Sequence, residues 1–155
     1  RFRLVLVGPE EGEHGRAGRL EAIRWGIDQR LVLTGLLDGQ ALSDAYAGLD
    51  VLLMPSHEES FGNAAVEALL QGTPVVLSDR VGVADWVLSR SLGKVIPLEV
   101  EAWSEALSAL LGSRRSEWDA DHARETAGLT FLEAEVAGTM LDAYERILAS
   151  KPMNP

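Results

Sequence analysis

Two carboxylates bracket a short turn in the middle of the chain: Glu59 and Glu67, eight positions apart in the stretch PSHEESFGNAAVE (55–67). Between them stands Phe61-Gly62, where a polar loop gives way to a run with helical spacing. The first turn of a helix leaves backbone N–H groups without intrahelical partners. A glycine there lets an anion approach them and the positive end of the helix dipole. Glu59 falls in the loop before the helix, whereas Glu67 falls one turn inside it, four residues after Asn63 and so on the same face. A carboxylate so placed can accept two hydrogen bonds from a vicinal diol such as a ribose. An anion site beside a diol acceptor is the pair of contacts that a nucleotide needs. The competing reading makes Glu59 a solvated loop acid and Glu67 the polar residue of an Ala-rich helix.

Such a site needs strands that end beneath it. Five short, nearly continuous apolar runs supply them: FRLVLVG (2–8), RLVLTG (30–35), DVLLMP (50–55), TPVVLS (73–78) and GKVIPL (93–98). Continuous rather than alternating apolar character suits strands buried on both faces of a parallel sheet. Between the runs, Leu20, Ile23 and Ile27 share one helical face, and Leu42, Ala45, Tyr46 and Leu49 share another. The third intervening helix starts near Gly62 and stops at Gly72-Thr73-Pro74, and its body is apolar nearly all round, which predicts burial. Val100, Trp103, Leu107, Leu110 and Leu111 mark a helix ended by Gly112, and a further helical stretch covers about 117–127. Thr130 and Glu133 have the spacing of a capping box that opens a last helix. The succession of βαβ units predicts an α/β protein with a doubly wound, mainly parallel, Rossmann-like sheet and helices on both faces. Residues 1–150 read as one domain and 151–155 as a disordered tail. Ligands of such sheets bind at the carboxyl ends of the strands, where Glu59 and Gly62 are expected.

Composition limits the partners. The 155 residues include 14 Lys and Arg against 24 Asp and Glu, a formal net charge of −10, and no cysteine. Disulfide scaffolds, thiolate metal sites and cysteine nucleophiles are thereby excluded. The basic residues stand singly or in pairs, with no stripe for nucleic acid or an anionic membrane. No apolar run approaches the roughly 20 residues that span a bilayer, so a cytoplasmic location is expected. The opening Arg1-Phe2-Arg3, without an initiator methionine, suggests a piece of a longer protein. His57 is the one histidine in the site loop, Glu10, Glu11 and Glu13 read as a solvated acidic turn, and Trp25, Trp86, Trp103 and Trp118 read as packing residues.

The stretch DVLLMPSHEESFGNAAVEALLQGTPVVLSD (50–79) resembles the signature of the C-terminal, donor-binding half of group 1 retaining glycosyltransferases of the GT-B fold. Pro55, Ser56, Glu59, Phe61, Gly62, Glu67, Ala68, Gly72, Thr73, Pro74, Val75 and Val76 match that pattern at its spacing. The resemblance implies transfer of a sugar from a UDP-, GDP- or ADP-sugar, without a metal or other cofactor. It assigns Glu59 to the donor sugar or its diphosphate as the catalytic carboxylate, and Glu67 to the ribose hydroxyls. The amides of Ser60, Phe61, Gly62 and Asn63 would meet sugar and phosphate, and the base would lie against Gly35, Leu36 and Leu37 after Thr34. Phe61 is expected to be buried beneath the turn. An N-terminal domain of the same enzyme would hold the acceptor, the isolated piece would be inactive, and the full enzyme could touch a membrane peripherally.

The chain departs from the pattern in three ways. The family's domain begins with a strand ending in Gly-Arg, followed by a Lys. Neither cation is present, and that strand would lie centrally, between the first and third strands seen here. After the fourth strand the family has Gly-Gly-x-Pro-Glu, where this chain has Val81-Gly82-Val83-Ala84-Asp85. Two other readings use the same elements. A GT-B nucleotide-sugar epimerase shares the architecture. A receiver-like, Mg²⁺-binding module would use acids after the first and third strands, but the third ends in Met54-Pro55-Ser56, without the Asp such a module needs.

Overall fold

A computed structural model of the chain describes residues 2–9, 13–112 and 118–150. Glu10, Glu11 and the tail 151–155 lie outside the described residues. Contacts divide the chain into two compact units, Arg1–Ala45 and Tyr46–Pro155.

In the first unit, β1 (Leu4–Leu6) and β2 (Leu31–Leu33) pair in parallel, Leu4 opposite Leu31 and Leu6 opposite Leu33. The crossover between them is α1 (Glu13–Arg24) and a short 3₁₀ turn, Asp28–Arg30. The face expected to pack, Leu20 and Ile23, is exposed, and among the described residues of α1 the buried one is Ala22. Ile27 falls outside the helix, and its N–H donates to the Ala22 carbonyl at 2.9 Å. Trp25 is likewise a surface residue rather than a packing one, 72% exposed. Its indole N–H donates to Glu21, and the Arg24 guanidinium stands 5.9 Å from its ring. α2 (Gly39–Gly48) follows, and its last residues belong to the second unit.

The second unit carries a parallel sheet in the order β3 (Leu52–Met54), β4 (Val75–Ser78), β5 (Gly93–Ile96). Its central strand β4 is buried at every residue, as its continuous apolar sequence predicts for a strand covered on both faces. Flanking helices are α3 (Asn63–Leu70), α4 (Ala84–Ser89), α5 (Val100–Gly112), α6 (Ala120–Phe131) and α7 (Glu133–Ser150). The single sheet expected from the sequence is thus two sheets: among the described residues β1 pairs only with β2, and β3 only with β4. Among the described residues, β1 and β3 therefore each keep one edge without a strand partner.

The core is built by β4, α3, α4 and α6. Ala65, Ala68 and Leu69 of α3 and Ala123 and Ala127 of α6 are fully buried, and the small alanine side chains let the two helices pack closely. α6 and the residues just before it also complete the end of α3. The indole N–H of Trp118 donates to the Gly72 carbonyl at 2.8 Å, and Arg124 donates to the Gln71 carbonyl at 3.2 Å, so carbonyls left over at the helix terminus are satisfied. Thr130 lies within α6 and does not open the last helix as expected. α6 continues through Phe131, the Thr130 hydroxyl donates back to the Thr126 carbonyl at 2.9 Å, and the break comes at Leu132, whose backbone is extended. A hydroxyl that can reach the carbonyl four residues back competes with its capping role.

Candidate functional site

The loops after β3 and β4 form one surface. Glu59 bridges Val81 in parallel fashion: its N–H donates to the Arg80 carbonyl at 3.2 Å, and its carbonyl accepts from Gly82 at 2.9 Å. Two residues on, Val83 N–H donates to the Phe61 carbonyl at 2.9 Å. The approach is so close that a Cβ on Gly82 would overlap the Ser60 carbonyl oxygen. Beneath the join, the buried Ser78 hydroxyl donates to the Ser56 carbonyl at 2.6 Å and accepts from the Arg80 N–H at 3.3 Å. The stretch holding Glu59, Ser60, Phe61, Gly62 and Asn63 is therefore stitched to the carboxyl end of the sheet, where an α/β protein places its ligand.

Gly62 is the residue before α3, with φ 106° and ψ 48°. A side chain there would meet Val81 Cγ1 at 2.7 Å and Val83 Cγ2 at 3.1 Å. These two valines, each 3% exposed, fill the space beneath the turn that Phe61 was expected to occupy. Phe61 is instead 42% exposed. Its ring stands edge-on to Phe131 at 5.6 Å, and Phe131 in turn meets Trp86 at 4.6 Å. The turn thus rests on aliphatic packing and offers one aromatic edge to solvent.

The half-buried Glu59 turns its carboxylate into the loop. Its Oε1 accepts from the N–H groups of Phe61 at 3.2 Å and Gly62 at 3.1 Å. Those amides, expected to meet a ligand, are held by the protein's own acid in this structure. The amides of Ser60, Asn63 and Ala64 have no hydrogen-bond partner among the described residues. An acid three residues before a glycine turn has the spacing to cap it, and that local signal could have been read from the sequence.

α3 turns most of its surface inward but keeps one polar edge. Asn63 and Glu67 are exposed, one helical turn apart, while Ala65, Val66, Ala68 and Leu69 are buried. Glu67 Oε2 accepts from the Tyr46 hydroxyl at 3.0 Å, a contact across 21 positions of sequence that the residue pattern did not reveal. Burial, and then the hydrogen bond and charge of Glu67, raise the Tyr46 phenol well above its ordinary pKa. Tyr46 therefore stays protonated and donating. His57, Ser60, Gly82 and Asp85 are exposed around the same surface. Lys94, on β5, is exposed, and Arg80 lies at the loop beside Glu59 with its guanidinium 3.6 Å from Asp79.

In the first unit, the loop Gly35, Leu36, Leu37 follows β2. Gly35 has φ 72°, its carbonyl accepts from the Gly8 N–H at 3.0 Å, and Leu36 is 79% exposed. Among the described residues no three His, Asp or Glu side chains gather as metal ligands, and no helix is long and apolar enough to cross a membrane.

The sequence profile of the family described as glycosyl transferases group 1 matches residues 1–113. A D-inositol 3-phosphate glycosyltransferase from Xylanimonas cellulosilytica is 34% identical, over 97% of this chain and 37% of that protein. Among solved structures, sucrose-phosphate synthase from Thermosynechococcus elongatus is similar with a TM-score of 0.82 and 25% identity, over 96% of this chain and 39% of that one. The structure of HepE from Anabaena in complex with UDP and glucose shares the fold, with a TM-score of 0.79 at 21% identity over 93% of this chain and 40% of its own. This chain spans about two fifths of the length of these relatives. Over most of its length, and through the loop and helix that carry Glu59 and Glu67, it belongs to the group 1 glycosyl transferases.

Proposed function

We propose that the chain is the donor-binding half of a retaining glycosyltransferase, which passes a sugar from a nucleoside diphosphate to an acceptor held by an N-terminal domain of the same enzyme. The observation that carries the proposal is the start of α3. The Asn63 and Ala64 amides are unpartnered there, and Glu67 stands one turn further along with Oε1 unpartnered among the described residues. The free amides suit phosphate oxygens and the carboxylate suits ribose hydroxyls. That HepE is known with UDP and glucose, on the same fold, supports this reading.

In the reaction proposed, the bond from the anomeric carbon to the diphosphate breaks, the acceptor oxygen takes that carbon, and its proton leaves with the diphosphate. The protein's part is to orient the donor and to stabilise charge on the departing phosphate with fixed N–H dipoles. Glu59 suits a sugar hydroxyl better than the diphosphate, because a carboxylate accepts from hydroxyls and repels phosphate. Its Oε1 braces the turn and leaves Oε2 for that contact. No metal or cofactor enters the proposal. The test is thermal unfolding with UDP, GDP or ADP, with and without Mg²⁺. One nucleotide at about a hundred times its Kd should add about 2.7 kcal/mol of stability. Protection by Mg²⁺ alone, or by no nucleotide, would sink the reading.

A further inference from the structure

Glu67 stands on the open edge of α3, and a glutamate there is ordinarily free to sample several rotamers. In this protein it is not free. Tyr46 reaches it from the last turns of α2 and donates to Oε2 at 3.0 Å. Tyr46 is itself anchored. Its ring packs half-buried against the core, and its carbonyl accepts from the Thr73 hydroxyl at 2.7 Å. Thr73 is fully buried in the turn that links α3 to β4. The phenol is thus held by one segment at two points: Thr73, just after α3, fixes its backbone, and Glu67, on α3, accepts its hydrogen bond.

We infer that Tyr46 is a positioning residue for the donor: its hydroxyl holds Oε2 of Glu67 so that Oε1 faces outward to accept from the ribose. This rests on the reading of Glu67 as the ribose acceptor. Two consequences follow from the geometry. The carboxylate enters binding already in one rotamer, so less side-chain freedom is lost when the nucleotide arrives. The phenol also engages Oε2, which leaves the ribose the other oxygen. The raised phenol pKa agrees with this arrangement, since the phenolate form would repel Glu67.

Tyr46→Phe keeps the ring and removes only the hydroxyl, so it separates packing from positioning. Wild type, Tyr46→Phe, Glu67→Ala and the double variant are titrated calorimetrically with UDP, ADP and GDP and with their 2′,3′-dideoxy forms, each variant's thermal midpoint being recorded alongside. Tyr46→Phe should weaken the ribonucleotide that binds by about threefold to tenfold, leave its dideoxy form nearly unchanged, and have no further effect once Glu67 is alanine. A merely structural role would weaken both forms alike and would persist in the Glu67→Ala background, and either result overturns the inference. So does a Tyr46→Phe variant that binds as wild type while Glu67→Ala does not. If Glu67→Ala itself binds as wild type, the ribose reading has failed and the inference falls with it.

Discussion

Gly62→Ala sets one methyl group against two packed valines. The added carbon would lie 2.7 Å from Val81 Cγ1 and 3.1 Å from Val83 Cγ2, where carbon atoms ordinarily rest about 3.5–4.0 Å apart. Both valines are 3% exposed, so neither can swing into solvent to make room. A left-handed backbone at φ 106° adds roughly 1–2 kcal/mol for a residue with a Cβ. Overpacking of a well-filled core adds about 1–3 kcal/mol. The sum, about 2–5 kcal/mol, should lower the thermal midpoint on the order of 10 °C. Val81→Ala removes the nearer obstacle. In that background Gly62→Ala should cost little more than its backbone share, giving a coupling of about 1–2 kcal/mol between the two sites. Denaturant titrations of the four proteins measure it, and strictly additive losses would refute the packing argument.

Glu67→Ala should weaken nucleotide binding about tenfold or more in calorimetric titration, since hydrogen bonds to a charged group contribute roughly 1.5–3 kcal/mol, while the fold stays intact. With a net charge of −10, binding of an anionic nucleotide should strengthen between low and moderate ionic strength as repulsion is screened; weakening instead would point to Arg80 or Lys94 at the phosphate. Because the Tyr46 phenol is raised in the folded state, its contribution to stability is fully present below about pH 10 and declines above it, where the unfolded chain ionises first. Urea midpoints from pH 9 to 11 should therefore fall less steeply in Tyr46→Phe than in wild type. Trp118→Phe should lose about 0.5–1.5 kcal/mol in denaturant titration by freeing the Gly72 carbonyl; an unchanged midpoint would show that the bond is replaced by water.

Much of the site was legible because its signals are local. Apolar runs such as VVLS at 75–78 mark a strand covered on both faces, and β4 is buried throughout. The Gly62 start and Gly72 stop bound α3 within a residue or two. Helical periodicity put Glu67 on the face of Asn63, and both are exposed. Phe61 departs from the expected burial because aromatic character alone does not say which group fills the space under a turn. Val81 and Val83 arrive from another loop and take it. Thr130 departs from the expected capping role because α6 runs on through Phe131, and its hydroxyl turns back to the Thr126 carbonyl.

By itself the sequence determined what depends on the spacing of neighbours along the chain: parallel strands alternating with helices, the glycine turn at the head of α3, and a carboxylate one turn beyond it. Only the tertiary structure decided what depends on segments far apart in sequence. It gathered the strands into two sheets, bridged Glu59 to Val81 across two loops, and brought the Tyr46 hydroxyl to Glu67. Periodicity reports the direction in which a side chain leaves its own element. Which partner it meets there is set by how elements pack, through distances that no local pattern encodes.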